Sequence, residues 1–599
     1  MCGICGELGF GNHKPDRDTL FKMMDSLARR GPDDAGDFLR GPISLGHQRL
    51  SVIDLSKRAH QPLVDENAKL IIVFNGTIYN YRDLHRELLA KGHNFHSKSD
   101  TEVVLKSYLQ WKEKCVEHLH GMFAFALWDD ANHKLFLARD RLGIKPLYYC
   151  SVPHGFRFAS TLPALLAGGD VNTRIDPIAL HHHLTLHGVV PAPRTLLRGV
   201  QKLPPGTTLT IPFSENSKPP ISSPKRYWQL QARRPEIPKT EKEWIEAVRT
   251  VLKETVDNHL RVADVPVGVL LSGGLDSSLL VGLLAENENV ENLFTFSIGF
   301  EDTLEERGSE FEYSDQVVAR YHTNHHRYII PNEQVLDRLP EAITAMSEPM
   351  VGQDAVAFYL LAEQVSQVVK VVQSGQGADE VFAGYFWYPL MNAAQGTDLE
   401  RFKPYYFDRD HEEFLKTVRP YYYGKDYTSQ IVTELLAQEG ADTFLDKVLR
   451  MDVTTLIVDD PVKRLDNMTM AYGLEARVPF LDHHLVELAA SMPPELKLRE
   501  NGKYVLKKIA HDLLPAAVID RPKGYFPMPA LRYVRGPFLE FMRDVLNSTA
   551  CRQRQLFQRN YVDQLLATPE EYKTPLQGSK LWHLALLEKW LQIHVDGKR

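Results

Sequence analysis

Val265-Pro-Val-Gly-Val-Leu-Leu-Ser-Gly-Gly-Leu-Asp-Ser-Ser278 joins an apolar run of strand length to a glycine turn and then to a new helical pattern. An apolar run without alternation is the mark of a strand buried on both faces, as in a parallel sheet. Two glycines let backbone N–H groups approach an anion, and the following helix start adds unsatisfied donors and the positive end of its dipole. The Gly-Lys-Ser/Thr ending of a Walker loop is missing, so the turn is a nucleotide loop of another kind. The bland alternative is a glycine turn in an ordinary βα unit. Two more apolar runs, Leu293–Phe300 and Val368–Gly375, follow with helical patterns between them, and the second ends in Ser374-Gly-Gln-Gly-Ala-Asp-Glu380. In a parallel sheet ligands lie at the carboxyl ends of the strands, so this second loop can face the first. Asp276 and Asp379 are then candidate magnesium ligands. Lys523, in Arg521-Pro-Lys-Gly-Tyr-Phe526, is a candidate for neutralising charge in the transition state.

Outward from this core the chain changes character. Thr240-Glu-Lys-Glu243 is a capping-box pattern opening a helix with apolar residues from Trp244 to Leu260 at helical spacing. Before it, Ile211–Pro224 is rich in Pro and Ser and reads as a linker or long loop. The first third alternates short apolar runs with turns. Met122–Asp130 and Lys134–Asp140 form a predicted hairpin, and Glu102–His118 a predicted helix, so helices should pack on antiparallel sheets there. Beyond about Tyr385 the pattern is largely helical, with an aromatic-rich stretch at Tyr405–Tyr423.

The 599 residues carry 70 basic and 77 acidic side chains, a net charge of −7, which argues against a general nucleic-acid binder. No apolar run approaches the roughly 18 residues of a membrane helix, and no signal peptide is visible at the N-terminus. Five cysteines in so long a chain are no disulfide framework and fit a reducing, cytoplasmic setting. Cys2 and Cys5 lack the further ligands that zinc would need and the strand context of a redox pair. Position suits Cys2 better: removal of Met1 leaves a thiol and an α-amine on one residue. An α-amine with a pKa of about 7.7–8.0 can act as general base toward a thiol of about 8.5. Cys5, Cys115, Cys150 and Cys551 read as small buried hydrophobes. Pairs of neighbouring histidines at 181–183, 325–326 and 483–484 are expected to diverge and so not to share an ion.

Met1-Cys-Gly-Ile-Cys-Gly6, Arg29-Arg-Gly-Pro-Asp33, His47–Asp54, Phe74-Asn-Gly-Thr-Ile-Tyr-Asn80, Ser99-Asp-Thr-Glu102 and Arg139–Tyr148 resemble the glutaminase domain of class II amidotransferases. Ser272–Ser278, Ser374–Glu380, Gly473-Leu-Glu-Ala-Arg-Val-Pro-Phe-Leu-Asp482 and Gly502-Lys-Tyr504 resemble the asparagine-synthetase-type domain. The resemblance covers nearly the whole chain in order. It implies an α/β multidomain protein: an N-terminal-nucleophile αββα sandwich at residues 2–210, a linker at 211–236, and an ATP-pyrophosphatase domain with a parallel sheet and a helical C-terminal part at 237–599.

By the same resemblance Cys2 attacks glutamine, Asn75 and Gly76 form the oxyanion hole, Arg49 grips the substrate carboxylate, and Asp100 holds its ammonium, with Leu50, Val52, Ile53 and Thr77 completing the pocket. ATP would lie on Leu271, Ser272, Gly273, Gly274, Asp276, Ser277, Ile298, Ser374 and Gly375, activating a carboxylate as an acyl-adenylate. Two departures stand out. Thr77 occupies a position where the family usually has glutamate, and Gln376 replaces the usual glutamate of Ser-Gly-Glu-Gly. An amide cannot serve as a base. Gln376 and the extra length point to the branch that amidates the terminal carboxylate of N-acetylglutaminylglutamine, an osmolyte-forming reaction. The alternatives are an asparagine synthetase acting on aspartate and an inactive glutamine or nucleotide sensor. Expected partners are small molecules (glutamine, ATP with Mg²⁺, and the acceptor), with no nucleic acid or membrane, and a homodimer as the candidate assembly.

Overall fold

The computed structural model describes residues 2–215, 222–286, 292–302, 308–521 and 534–597. The first third is a sandwich of two six-stranded antiparallel sheets. One sheet runs in the order Val200–Lys202, Tyr148–Val152, Gly155–Ala159, Gly3–Gly9, Ile43–Arg49, Asp34–Arg40. The other runs Lys225–Arg226, Thr207–Pro212, Lys134–Arg139, Gly121–Asp129, Leu70–Ile78, Leu63–Asp65. Their inner faces meet through Ile4, Leu8, Leu45, Ile71, Val73, Ala126 and Leu137. Helices cover the outer faces: Arg17–Leu27 lies on the first sheet and Asp100–Trp111 on the second. The expected hairpin is present, with Phe125 opposite Ala138. The expected 102–118 helix is broken at Lys112, whose φ of 55° turns the chain before a short helix at Cys115–His118. The Pro/Ser-rich stretch is not all loop, because Ile211 and Pro212 continue a strand beside Lys134 and Leu135.

The second region holds a five-stranded parallel sheet in the order Asn324–Ile330, Phe294–Phe300, Val267–Leu270, Val371–Gln373, Glu475–Arg477. Its central strand is fully buried, which is why the sequence there is apolar without alternation. The capping box at Thr240 is formed in both directions and starts the helix Glu241–Arg261. Helices supply nearly everything after the fourth strand. None of the described helices is long and apolar enough to cross a membrane. One hydrophobic core runs from the glutaminase-like sheet (Phe74, Met122, Phe125) into the parallel sheet (Val269, Val371, Ala476), so the two regions are packed together by apolar surface.

Candidate active sites

The sandwich presents Cys2 at the start of its first strand, 7% exposed. The Cys2 nitrogen donates to Asn75 Oδ1 at 2.9 Å. Asn75 is completely buried on the neighbouring sheet, and its Nδ2 has no hydrogen-bond partner among the described residues. A buried amide donor left without an acceptor is costly unless a ligand oxygen completes it. Gly76 is required by close approach: a Cβ there would meet Met122 O at 2.2 Å. Burial pushes the Cys2 thiol up, while the N-terminal charge, a Leu50 backbone hydrogen bond and Arg49 pull it back.

Arg49 ends the strand Ile43–Arg49, and the loop after it folds over its guanidinium. Arg49 Nη2 donates to Asp54 O at 2.6 Å and Ile53 O at 3.4 Å, and Nη1 to Ser56 O at 3.3 Å. Leu50, Val52 and Ile53 are thereby buried around it. Asp100 begins the helix Asp100–Trp111 and accepts from Ile78 N at 3.1 Å. Burial raises its carboxyl to about 7. These residues come from four sequence stretches and converge on one side of the sandwich.

Thr77 is where the structure departs most from the sequence reading. Its hydroxyl donates to Glu475 Oε1 at 3.1 Å, a carboxylate of the parallel sheet. Glu475 accepts in turn from Arg477 Nε at 2.7 Å, and both side chains are wholly buried. Beside this pair Arg30 donates to Cys2 O at 3.2 Å and forks onto Asp466 at 2.9 and 3.3 Å. Lys145 Nζ reaches the same Asp466 at 3.2 Å. A belt of buried charges thus links the back of the Cys2 site to the second region. All its members but Asp466 lie inside quoted motifs, yet nothing local in those motifs shows that they meet.

The second site sits at the carboxyl ends of two adjacent parallel strands, as the loop pair predicts; Val267 pairs with Val371. Gly273 makes the turn at φ 76°, where a Cβ would lie 2.6 Å from Ser314 N. Ser277 Oγ accepts from Ser272 N at 3.2 Å and closes the loop on itself. The two loops abut so closely that a Cβ on Gly375 would sit 3.0 Å from Ser277 N. Leu271, Ser272, Gly274, Asp276, Ser277, Ile298, Ser374, Gly375, Gln376 and Asp379 all line one cavity of about 1110 Å³; Gly273 alone of the expected nucleotide residues does not reach its wall. Lys523 lies outside the described residues.

Lys503 and Lys507 both reach this cavity, and Lys503 is the one that bridges the two loops. Its Nζ lies 2.6 Å from Asp276 Oδ2 and 2.6 Å from Asp379 Oδ1. Gly384 makes room for it, since a Cβ there would strike Lys503 Cε at 2.1 Å. Burial alone would depress this ammonium, but the two carboxylates outweigh it and raise the pKa above lysine's ordinary value. The sequence signal was the Gly502-Lys-Tyr504 motif, to which no role had been attached. Elsewhere on the cavity wall Tyr385 stacks on Trp387 at 4.3 Å and donates to Glu380 Oε1 at 2.8 Å.

Of the neighbouring histidines, only His483 and His484 fall into one candidate ion group among the described residues; no such group holds two of His181–His183, or both His325 and His326. His181 and His182 both bond Thr428 Oγ1, at 2.7 and 3.0 Å, and the His483 and His484 rings lie 3.9 Å apart at a helix start. His483 and His484 open their helix, where the first side chains are free to turn toward each other.

A buried Cys2 beside an amide donor without a partner among the described residues, and a cavity between two glycine loops on a parallel sheet, suit an enzyme with two joined sites. The comparisons place it more narrowly. Residues 247–592 match the asparagine synthase family and residues 1–228 the glutamine amidotransferase domain family, and the chain belongs to the asparagine synthase family. It is 32% identical to asparagine synthetase [glutamine-hydrolyzing] 3 of Bacillus subtilis, with 99% of this chain and 98% of that protein covered. Asparagine synthetase [glutamine-hydrolyzing] 1 of the same organism is also 32% identical, with 99% and 97% covered. Amidase chyE of Penicillium rubens is 29% identical, with 87% of this chain and 86% of that protein covered.

Proposed function

We propose that the chain moves the amide nitrogen of glutamine onto the terminal carboxylate of N-acetylglutaminylglutamine. The Cys2 sulfur attacks the glutamine amide carbon, ammonia leaves, and water later hydrolyses the thioester. The amine of Cys2 takes the thiol proton, and Asn75 Nδ2 with Gly76 faces the tetrahedral oxygen. Arg49 and Asp100 hold the carboxylate and ammonium of glutamine. The orphaned, fully buried Nδ2 of Asn75 is the observation that carries this half. Ammonia is then handed on inside the molecule.

In the second site the acceptor carboxylate attacks the α-phosphorus of ATP, pyrophosphate leaves, and ammonia displaces AMP from the acyl-adenylate. Lys503 brings a fixed positive charge to the phosphates. Asp276 and Asp379 share the Lys503 ammonium and are hard oxygen donors, so together with phosphate oxygens they would hold Mg²⁺, which would neutralise charge on the departing pyrophosphate. The neutral Gln376 and the stacked Tyr385–Trp387 wall of the cavity support a long, amide-rich acceptor. Aspartate is the second reading, favoured by the full-length relatives named asparagine synthetases. The residues assigned here extend over two catalytic units, taken as 2–210 and 237–599, and unpaired, buried cysteines suit a cytoplasmic enzyme.

The test supplies glutamine, ATP and magnesium with each acceptor and follows mass. The acetylated dipeptide should lose about 1 Da as OH becomes NH₂. Equal or faster conversion of aspartate to asparagine makes the second reading the right one. Gln376→Glu puts a negative charge beside an anionic acceptor and nucleotide, so it should slow dipeptide amidation without creating asparagine synthesis.

A further inference from the structure

His187, Asp408 and His583 come from three distant segments and meet at one end of the large cavity. His187 follows the helix Pro177–Thr185, Asp408 follows Asp398–Tyr406, and His583 lies in the first turn of Lys580–His594. The Asp408 backbone N–H donates to Thr185 O at 2.8 Å, which fixes the first two segments together. Both imidazoles face the same carboxylate oxygen: His187 Nδ1 lies 3.0 Å and His583 Nδ1 3.4 Å from Asp408 Oδ2. The two rings are edge to face, with centroids 5.4 Å apart at 72°.

The group is built but incomplete. His583 is 1% exposed, and neither of its ring nitrogens has a hydrogen-bond partner among the described residues. Asp408 is 2% exposed, and its Oδ1 is equally unpartnered. His583 Nδ1, orphaned and facing Asp408, calls for an ion that satisfies it. Ligand atoms around a tetrahedral ion with bonds of about 2.0–2.1 Å stand about 3.3 Å apart. The two spacings to Asp408 Oδ2 bracket that value. A hard cation such as magnesium or calcium prefers an all-oxygen shell, whereas two imidazoles and a carboxylate suit zinc.

We propose that His187, Asp408 and His583 bind one zinc-type divalent ion, with the fourth position open to the cavity. His187 supplies the cavity side, since it is the one of the three that lines the wall, next to Gly578. Gly578 keeps the approach clear; a Cβ there would lie 3.3 Å from His583 Nε2. The fourth ligand is an oxygen, from water or from a carbonyl or carboxylate entering the cavity. The site lies apart from Asp276 and Asp379, and its occupancy does not depend on which acceptor the enzyme amidates.

The test uses the full-length chain, stripped with chelator and titrated with Co²⁺ alone. One equivalent should produce the visible absorption of four-coordinate cobalt, and one equivalent of Zn²⁺ should remove it. His187→Gln, on the cavity side where folding is least at risk, should weaken cobalt binding about tenfold or more, and Asp408→Asn should do the same. No cobalt band at any stoichiometry overturns the proposal and leaves a metal-free His187–Asp408 ion pair. An unchanged band in His187→Gln overturns it as well, and assigns the metal to another histidine group such as His120, His483 and His484.

Discussion

In the proposed reaction, Cys2 and Asp100 are the single residues that set the conditions of the first half. Cys2→Ala removes the nucleophile while leaving the nucleotide cavity intact. Glutamine-dependent product should vanish, and synthesis from added ammonium should persist, as measured by amide formation with each nitrogen source. Cys5 is a fully buried neighbour on the same strand, and Cys5→Ser should leave glutamine use within a few-fold of normal. Asp100 has a different lesson. Its carboxyl is raised to about 7 by burial, so the empty site holds it protonated below that pH. A protonated carboxyl cannot hold an ammonium, so the KM for glutamine should climb as pH falls through 7 while the ammonium-fed reaction does not follow. Asp100→Asn should raise KM at every pH and erase that slope. A KM in the wild type that is flat between pH 6 and 8, a window set about the shifted value, would remove Asp100 from its assigned role.

The strand Glu475–Arg477 is the element that ties one catalytic half to the other. Glu475 has its carboxyl held down to about 2: burial opposes ionisation, but the N-terminal charge, Arg477 and Lys145 prevail. Neither member of the pair is exposed, so removing one partner leaves an uncompensated buried charge. Arg477→Met should therefore cost about 3–5 kcal/mol in denaturant unfolding. The double variant Arg477→Met/Glu475→Gln should recover most of that loss, because the buried charge is then gone. It also disturbs the acceptor of the Thr77 hydroxyl, so product formed per glutamine hydrolysed should fall even where stability returns. A double variant as unstable as the single one would mean that Arg477 stabilises by packing alone.

Across the whole molecule the buried ion pairs between regions predict a shared response to acid. Asp466 is held below its ordinary range by Arg30 and Lys145 against burial, and Glu348 is held near 2 by Lys202 and Lys463. A carboxylate with a depressed folded pKa stabilises at pH values above its unfolded value and loses that contribution as pH falls toward the folded one. Asp466, Glu348 and Glu475 all lie at or beside contacts between the sandwich and the second region. The contribution of these pairs should thus be lost between about pH 4.5 and 2, and both regions should melt together. Calorimetry at neutral pH should show one transition. Two resolved transitions, with the sandwich surviving alone, would show that the shared core does not couple them.

The sequence by itself determined the elements and the chemistry of each loop. The unbroken apolar run before Ser272 declares a doubly covered strand, and the glycines after it declare a turn at positive φ. Those are local signals, set by backbone sterics and residue type. Lys503 was visible only as part of a motif, since a lysine gains its meaning from the two carboxylates it meets, 227 residues away in the case of Asp276. The charge belt of Arg30, Lys145, Asp466 and Glu475 and the His187–Asp408–His583 group likewise exist only after folding. Each is an arrangement of ordinary residues whose burial and mutual distance come from packing the two regions on one core. Periodicity records which face of an element is apolar, not which charged groups from remote elements will share a low-dielectric space.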